Sequence, residues 1–97
     1  MRLRAKVDAN QPEIVDAFRK LGCVVAHTHM VGKGFPDIVV SCGGMARLVE
    51  IKDGSLPPSA RKLTGPEAEF HRDWDGMVCV VESRGDVVRL VREWRGL

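Results

Sequence analysis

The sequence contains no long apolar segment, and its charges are nearly balanced. No apolar run approaches the roughly 20 residues needed to cross a bilayer, and no apolar signal-peptide stretch follows the basic residues 1–6. The 15 Lys and Arg residues against 13 Asp and Glu leave a net charge of +2. This balance excludes a histone-like polycation and does not by itself indicate a nucleic-acid partner. We therefore expect a cytoplasmic protein with no membrane partner.

Metal-binding and disulfide patterns are also scarce. Three cysteines, Cys23, Cys42 and Cys79, are too few and too scattered for a disulfide framework. They form no CxxC pair and lie among β-forming residues, so we predict small buried hydrophobes in strands rather than zinc ligands. His27 and His29 share one strand face. Because no further ligand stands at zinc spacing, we expect them to form a polar rim near the sheet end.

The length and composition of the chain fit one small globular domain. Its 97 residues allow one modest hydrophobic core. Hydrophobic residues make up 44% and charged residues 29%, which is typical of a folded rather than a disordered chain. We expect a single domain spanning residues 1–97.

Local patterns predict the order helix, three strands, helix, strand, helix. Asn10 and Glu13 have the spacing of a capping box that begins the first helix, and Gly22 ends it. The three strands are expected at about 23–29, 37–42 and 45–52, with Gly43-Gly44 as a tight turn between the last two.

The second half of the chain predicts a crossover into a parallel strand. A long loop, 53–63, precedes a helix that begins at Thr64 with Glu67 in the capping-box position. The strand at 77–82 is apolar nearly throughout, which is expected of a strand buried on both faces. A short helix ends the chain. The predicted fold class is α/β (α+β), with an antiparallel meander leading through a helix into a parallel fourth strand.

The hairpin register brings two acidic residues together. If Gly43-Gly44 is the turn, Cys42 faces Met45 and Asp37 lies directly opposite Glu50. Opposed residues have Cβ atoms roughly 4.5–5.5 Å apart, so two carboxylates repel each other there unless a cation lies between them. Mg²⁺ or Mn²⁺, which prefer oxygen ligands, would resolve this conflict.

Lys52 lies on the same strand face as Glu50 and sharpens the chemical interpretation. Metal-assisted phosphodiester hydrolysis needs carboxylates for the ion, a bound water, and positive charge where the transition state becomes negative. A lysine two residues from a ligand carboxylate can orient that water or stabilise the phosphate. The spacing alone leaves an alternative open, in which Asp37 is a turn residue and Glu50 and Lys52 form an exposed polar stripe.

These residues resemble a known nuclease signature. Gly34-Phe35-Pro36-Asp37 followed by Glu50-Ile51-Lys52 resembles the motif of the PD-(D/E)XK nuclease superfamily. The surrounding sequence is similar to the small stand-alone VRR-NUC type found in bacteriophages. The resemblance extends over most of the chain, from Glu13 in the first helix to Leu63-Thr64 at the start of the second.

The resemblance implies a restriction-endonuclease-like αβββαβ core, a mixed four-stranded sheet flanked by helices, and cleavage of DNA with Mg²⁺ or Mn²⁺. Asp37 and Glu50 would be the metal ligands, Lys52 the positioning or stabilising base, and Glu13 a further acid. For Glu13 the role of helix cap stays open. The family often has glutamine where this chain has Glu67, so Glu67 is either a site residue or only the capping residue of Thr64.

The function expected from these observations is a metal-dependent endodeoxyribonuclease, a homodimer selective for branched or Holliday-junction-like DNA; the junction preference comes from the resemblance alone. No small-molecule substrate is expected. Lys33, Arg61 and Lys62 lie in the loops that flank the site and are candidate phosphate contacts, or ordinary solvated charges. Two alternatives are a catalytically inactive DNA-binding module with the same fold and a His/Cys metal-binding interaction domain.

Overall fold

The computed structural model describes residues 7–97, and the basic residues 1–6 lie outside this range. The helices and strands follow the order expected from the sequence. They are α1 (Gln11–Lys20), β1 (Val24–His27), β2 (Ile38–Cys42), β3 (Met45–Ile51), a short 3-10 helix (Pro58–Ala60), α2 (Gly65–Asp73), β4 (Val78–Val81) and α3 (Arg84–Trp94).

The four strands form one mixed sheet in the order β1-β2-β3-β4. The first three strands are antiparallel neighbours, and β4 runs parallel to β3. This arrangement confirms an α+β fold with a four-stranded mixed sheet and three helices. Within residues 7–97, no helix combines the length and the apolar content needed to span a bilayer.

The register of the β2–β3 hairpin agrees with the sequence prediction. Cys42 pairs with Met45 and Ile38 with Val49, so the turn is formed by Gly43 and Gly44, both with positive φ. Alternation along the strands then turns one set of side chains towards α1 and α3, where they are buried. We call this the inner face of the sheet; its core residues from β2 to β4 are Ile38, Val40, Cys42, Val49, Ile51, Cys79 and Val81.

The helices complete this core from one side. Ile14 and Phe18 of α1 and Val87 of α3 are fully buried, and the ring of Phe18 stacks on Trp94 with centroids 6.0 Å apart. All three cysteines are free and buried, as expected. The prediction that β4 is buried on both faces was wrong. Val80 is 38% exposed, because α1 and α3 cover only the inner face.

Asn10 connects the start of α1 to the ends of two strands. Its side chain makes no capping hydrogen bond, so the capping box expected with Glu13 was wrong. Instead, its Nδ2 donates to the carbonyl oxygens of Lys52 at 3.0 Å and Glu82 at 3.3 Å. These long-range bonds outweigh a local cap, because they satisfy carbonyl groups where β3 and β4 end. The segment before α1 is thereby held against the sheet end.

The loop between β1 and β2 is fixed against α2. Gly32, Lys33 and Gly34 all have left-handed backbone conformations, with φ of +81°, +57° and +79°. At Gly34 the backbone approaches α2 so closely that an added Cβ would lie 2.2 Å from the Pro66 carbonyl oxygen. Thr28 anchors the other end, since its hydroxyl donates to the Pro36 carbonyl at 2.8 Å. The loop therefore sets the position of the chain entering Asp37.

Gly34→Ala is expected to destabilise the protein much more than Gly32→Ala. Both substitutions put a Cβ on a left-handed residue, which costs about 1–2 kcal/mol. Only at Gly34 does the added methyl also meet backbone, whereas the space around Gly32 is open. Urea unfolding of the two variants measures the difference, and equal losses of stability would show that the loop does not dock on α2 as described.

Candidate active site

The structure brings Asp37 and Glu50 together at one end of the sheet. Asp37 immediately precedes β2, and its Oδ2 accepts the Ile51 N–H at 2.7 Å. Glu50 points away from the inner face and is only 2% exposed. Continuing the β2–β3 register by one residue beyond Ile38 and Val49 places the two acids opposite each other. The juxtaposition expected from the hairpin is therefore present.

Burial gives Glu50 an unusual protonation state. Desolvation, the hydrogen bond with Asp37 and the negative charges of Asp37 and Glu67 raise the pKa of Glu50 to about 10, against a smaller opposing effect of Lys52. The Glu50 carboxyl therefore holds a proton at neutral pH. Within residues 7–97, its Oε1 atom is buried and has no hydrogen-bond partner. The pair thus consists of the protonated, almost fully buried carboxyl group of Glu50 and the neighbouring carboxyl group of Asp37.

Lys52 and Glu67 form an ion pair next to these acids. The Nζ of Lys52, a residue only 8% exposed, lies 2.7 Å from Glu67 Oε1 and 3.8 Å from Glu50 Oε2. The same Glu67 oxygen accepts the Thr64 N–H at 2.8 Å, and the Thr64 hydroxyl accepts the Glu67 N–H in return. Glu67 therefore caps α2 and contacts Lys52 with one carboxylate.

The ion pair keeps both of its members charged. Burial by itself would lower the pKa of Lys52, but the hydrogen bond and charge of Glu67, together with Glu50, raise it overall. Burial would likewise raise the pKa of Glu67, but the hydrogen bonds from Lys52 and from the Thr64 backbone lower it overall. Lys52 is thus a fixed ammonium group.

Asp8 is a site residue that the sequence interpretation missed. It is half-buried, and desolvation raises its pKa, as do the charges of Asp37, Asp53 and Glu67, while Lys52 acts in the opposite direction. Asp8 is therefore a further carboxyl group whose pKa is affected by the charges of this site. The tether from Asn10 to the Lys52 carbonyl holds this segment there. No local pattern marks Asp8, since its position depends on a contact more than 40 residues away in sequence.

Glu13 lies in a different environment. Its Oε2 accepts from Arg84 Nε at 2.8 Å, at the beginning of α3. Together with Asn10 and Asp53 it borders a cleft beside that helix. The contacts found within residues 7–97 do not join Glu13 to Asp37 or Glu50. The ligand role implied for Glu13 by the resemblance stays a prediction.

The three basic residues expected to contact phosphate differ in how their side chains are held. Arg61 is held in its loop, with Nη1 3.1 Å from Glu82 Oε1 and Nε donating to the Leu56 carbonyl at 2.8 Å. Lys33 and Lys62 are exposed, and Lys33 is carried on the strained loop that precedes Asp37. Lys33 and Lys62 therefore present their charges to solvent, whereas the side chain of Arg61 stabilises its own loop.

Asp37 and Glu50 are the residues at this site that could hold a divalent cation. Residues 7–97 contain no group of three or more His, Cys, Asp or Glu side chains arranged to hold a metal. Mg²⁺, however, is commonly bound in proteins through one or two carboxylates plus waters. Asp37 and the unpartnered oxygen of Glu50 supply such a pair, and a cation would take the place of the proton that Glu50 holds.

Comparisons of the chain with models of protein families, with curated proteins and with solved structures found no match.

Glu50→Gln is expected to stabilise the protein in EDTA at about pH 7–8. Folding raises the Glu50 pKa from the ordinary 4.5 to about 10, so the folded state binds more protons than the unfolded state between these values. The free energy of unfolding of the parent protein should then fall as pH rises through this range, and the glutamine variant should lose this dependence. Urea unfolding at several pH values measures it.

The matched control is Asp75→Asn, which removes one exposed carboxylate and should leave the pH profile unchanged. Parallel profiles for the parent protein and Glu50→Gln would contradict a protonated Glu50.

Proposed function

We propose that the protein is a divalent-metal-dependent endonuclease that hydrolyses phosphodiester bonds in DNA. The observation that carries this proposal is the buried Asp37–Glu50 pair beside a charged Lys52. Folding a carboxyl pair into a dry site without a cation is unfavourable, because the pair must keep a proton. In an enzyme that binds a cation at this position, the cation would take the place of that proton, so the same buried carboxyl pair serves metal binding.

Asp37 and Glu50 would hold Mg²⁺ or Mn²⁺ in this proposal. When bound, the ion would supply a water of lowered pKa and positive charge against the phosphate. The burial of Glu50 limits competing water around the carboxylates, which strengthens their attraction for a cation. Asp37 is oriented for this role by the Ile51 N–H, which occupies its Oδ2 and fixes the carboxylate plane.

Lys52 would act as a cation rather than as a proton acceptor. Because its pKa is raised, its ammonium group has no lone pair available to take a proton from water. It would instead donate hydrogen bonds to the attacking water or to a phosphate oxygen, where negative charge accumulates in the transition state. Glu67 would position it, since the 2.7 Å contact fixes Nζ against the rigid start of α2.

Three further features belong to the same proposal. The restriction-endonuclease-like core is supported by the order of the elements and by the parallel pairing of β4 with β3. A homodimer would provide two sites for paired cuts in a branched substrate. The selectivity for branched or Holliday-junction-like DNA rests on the resemblance to the VRR-NUC type.

A catalytically inactive DNA-binding module remains the second candidate. The observation in its favour is that residues 7–97 contain no group of three metal-binding side chains. In this alternative the fold and the exposed Lys33 and Lys62 would serve binding alone.

Plasmid and four-way-junction DNA should be cut in Mn²⁺ or Mg²⁺ and remain intact in EDTA. Lys52→Ala and Asp37→Asn should each lower the cleavage rate by roughly 10²-fold or more, because each removes charge stabilisation that matters most in the transition state. Lys20→Ala is the matched control, since this lysine is exposed and pairs with Asp16 on α1. Circular dichroism establishes that the variants fold.

A panel of single-stranded, duplex, flap and four-way-junction DNA identifies the substrate. DNA that is unchanged in every metal would exclude the nuclease. If the protein still binds DNA under those conditions, the binding module is the correct function.

A further inference from the structure

A second cleft, of about 350 Å³, lies between α1 and the end of β1. We call it the α1–β1 cleft. Its volume is at the lower end of the range for small-molecule sites, so it has room for one small ring system rather than for a base pair. Its lining is mixed, with three apolar residues (Val7, Pro12, Val15), one amide (Gln11), two imidazoles (His27, His29) and two charged residues (Asp16, Arg19).

The amide of Gln11 is buried in this cleft with its hydrogen bonding incomplete. Gln11 is only 3% exposed, and its Nε2 lies 3.4 Å from His27 Nδ1, a long contact. Within residues 7–97 its Oε1 is buried and has no partner. A buried acceptor without a donor costs free energy, and a ligand that brings an N–H group would remove this cost. The amide is thus a buried polar group in the wall of the cleft with an unused acceptor.

The other walls favour a flat heteroaromatic ligand. The rings of His27 and His29 meet edge to face with centroids 6.0 Å apart, which leaves imidazole surface for stacking. The Nδ1 of His29 is also buried without a partner within the described chain. Val7, Pro12 and Val15 supply apolar surface for the faces of a ring. Such a site suits a ring with polar atoms on its edge.

The cleft adjoins the candidate active site through two chain segments. Val7 and Gln11 border the cleft, and Asn10 beside Gln11 donates its side-chain N–H to the Lys52 carbonyl at 3.0 Å. On the other side, His27 and His29 border the cleft, and Thr28 between them donates its N–H to the Asp37 carbonyl at 2.9 Å. The two segments that border the cleft therefore also contact the sheet end that carries Asp37 and Lys52.

We propose that the α1–β1 cleft binds one unpaired nucleobase of the DNA substrate, next to the phosphate at Asp37 and Glu50. This inference rests on the proposed nuclease function. The amide of Gln11 contacts the base edge, as glutamine does with bases that present a donor beside an acceptor. The imidazoles and apolar residues stack on its faces, and the exposed Arg19 contacts a neighbouring phosphate.

A base that is paired within a helix cannot enter such a cleft without losing its stacking and pairing. The protein should therefore bind DNA with an unpaired nucleotide more tightly than continuous duplex. Gln11 would give this selectivity by contacting the unpaired base in the cleft, without contacting the bond that is cleaved.

The test measures binding in EDTA, where no cleavage occurs. A flap duplex with 2-aminopurine at the first unpaired position and a continuous duplex of the same sequence are titrated with protein. The wild-type protein should bind the flap more tightly and change the 2-aminopurine fluorescence. Gln11→Leu and His29→Ala should each reduce the flap-to-duplex affinity ratio at least about fivefold. Val88→Gln, a neutral change on the exposed side of α3, should leave the ratio unchanged.

Two variants are used so that a folding defect in one of them does not decide the result. An unchanged ratio in both folded variants, or equal binding of flap and duplex by the wild-type protein, would overturn the proposal. Cleavage that occurs without preference for unpaired DNA would likewise contradict base binding in the cleft, but it would agree with the proposed nuclease function. Selective binding of the flap with no cleavage in any metal would contradict the proposed nuclease function and support base binding in the cleft.

Discussion

The buried contact between Asp37 and Glu50 determines how this end of the molecule is built. Two acidic groups meet where β2 begins and β3 ends, and Glu50 is almost fully removed from water. Their repulsion is relieved by a proton on Glu50 and by the ammonium group of Lys52. Lys52 in turn is held by Glu67, whose carboxylate also caps α2. The sheet, the helix and the charge pattern thus depend on one another through a chain of four side chains.

This dependence explains why the surrounding backbone is so constrained. The loop before Asp37 lies against the first turn of α2, with Gly34 directly against the Pro66 carbonyl. Asn10 ties the beginning of α1 to the last carbonyl groups of β3 and β4. Each constraint fixes an element that carries an ionisable group: Asp37, Glu67 and Asp8. Such fixed geometry is what electrostatic catalysis requires, because the charges need no reorganisation during the reaction.

The sequence predicted those parts of the site that local rules determine. The Gly43-Gly44 turn fixes the register, and the register places Asp37 opposite Glu50. The Thr64–Glu67 capping box follows from spacing alone. Asn10 and Asp8 could not be placed in this way, since their positions depend on contacts with the far ends of β3 and β4. The exposure of Val80 was missed for a related reason: hydrophobic periodicity does not show which sheet face a helix covers.

In the proposed nuclease, a divalent cation would replace the proton held by Glu50. Calorimetric titration of the protein with Mg²⁺ or Mn²⁺ at about pH 7, in buffers of different ionisation enthalpy, measures the protons released on binding. One cation is expected to bind with the release of about one proton, whereas Glu50→Gln should release none. Binding without proton release, or no binding by the wild-type protein, would contradict it.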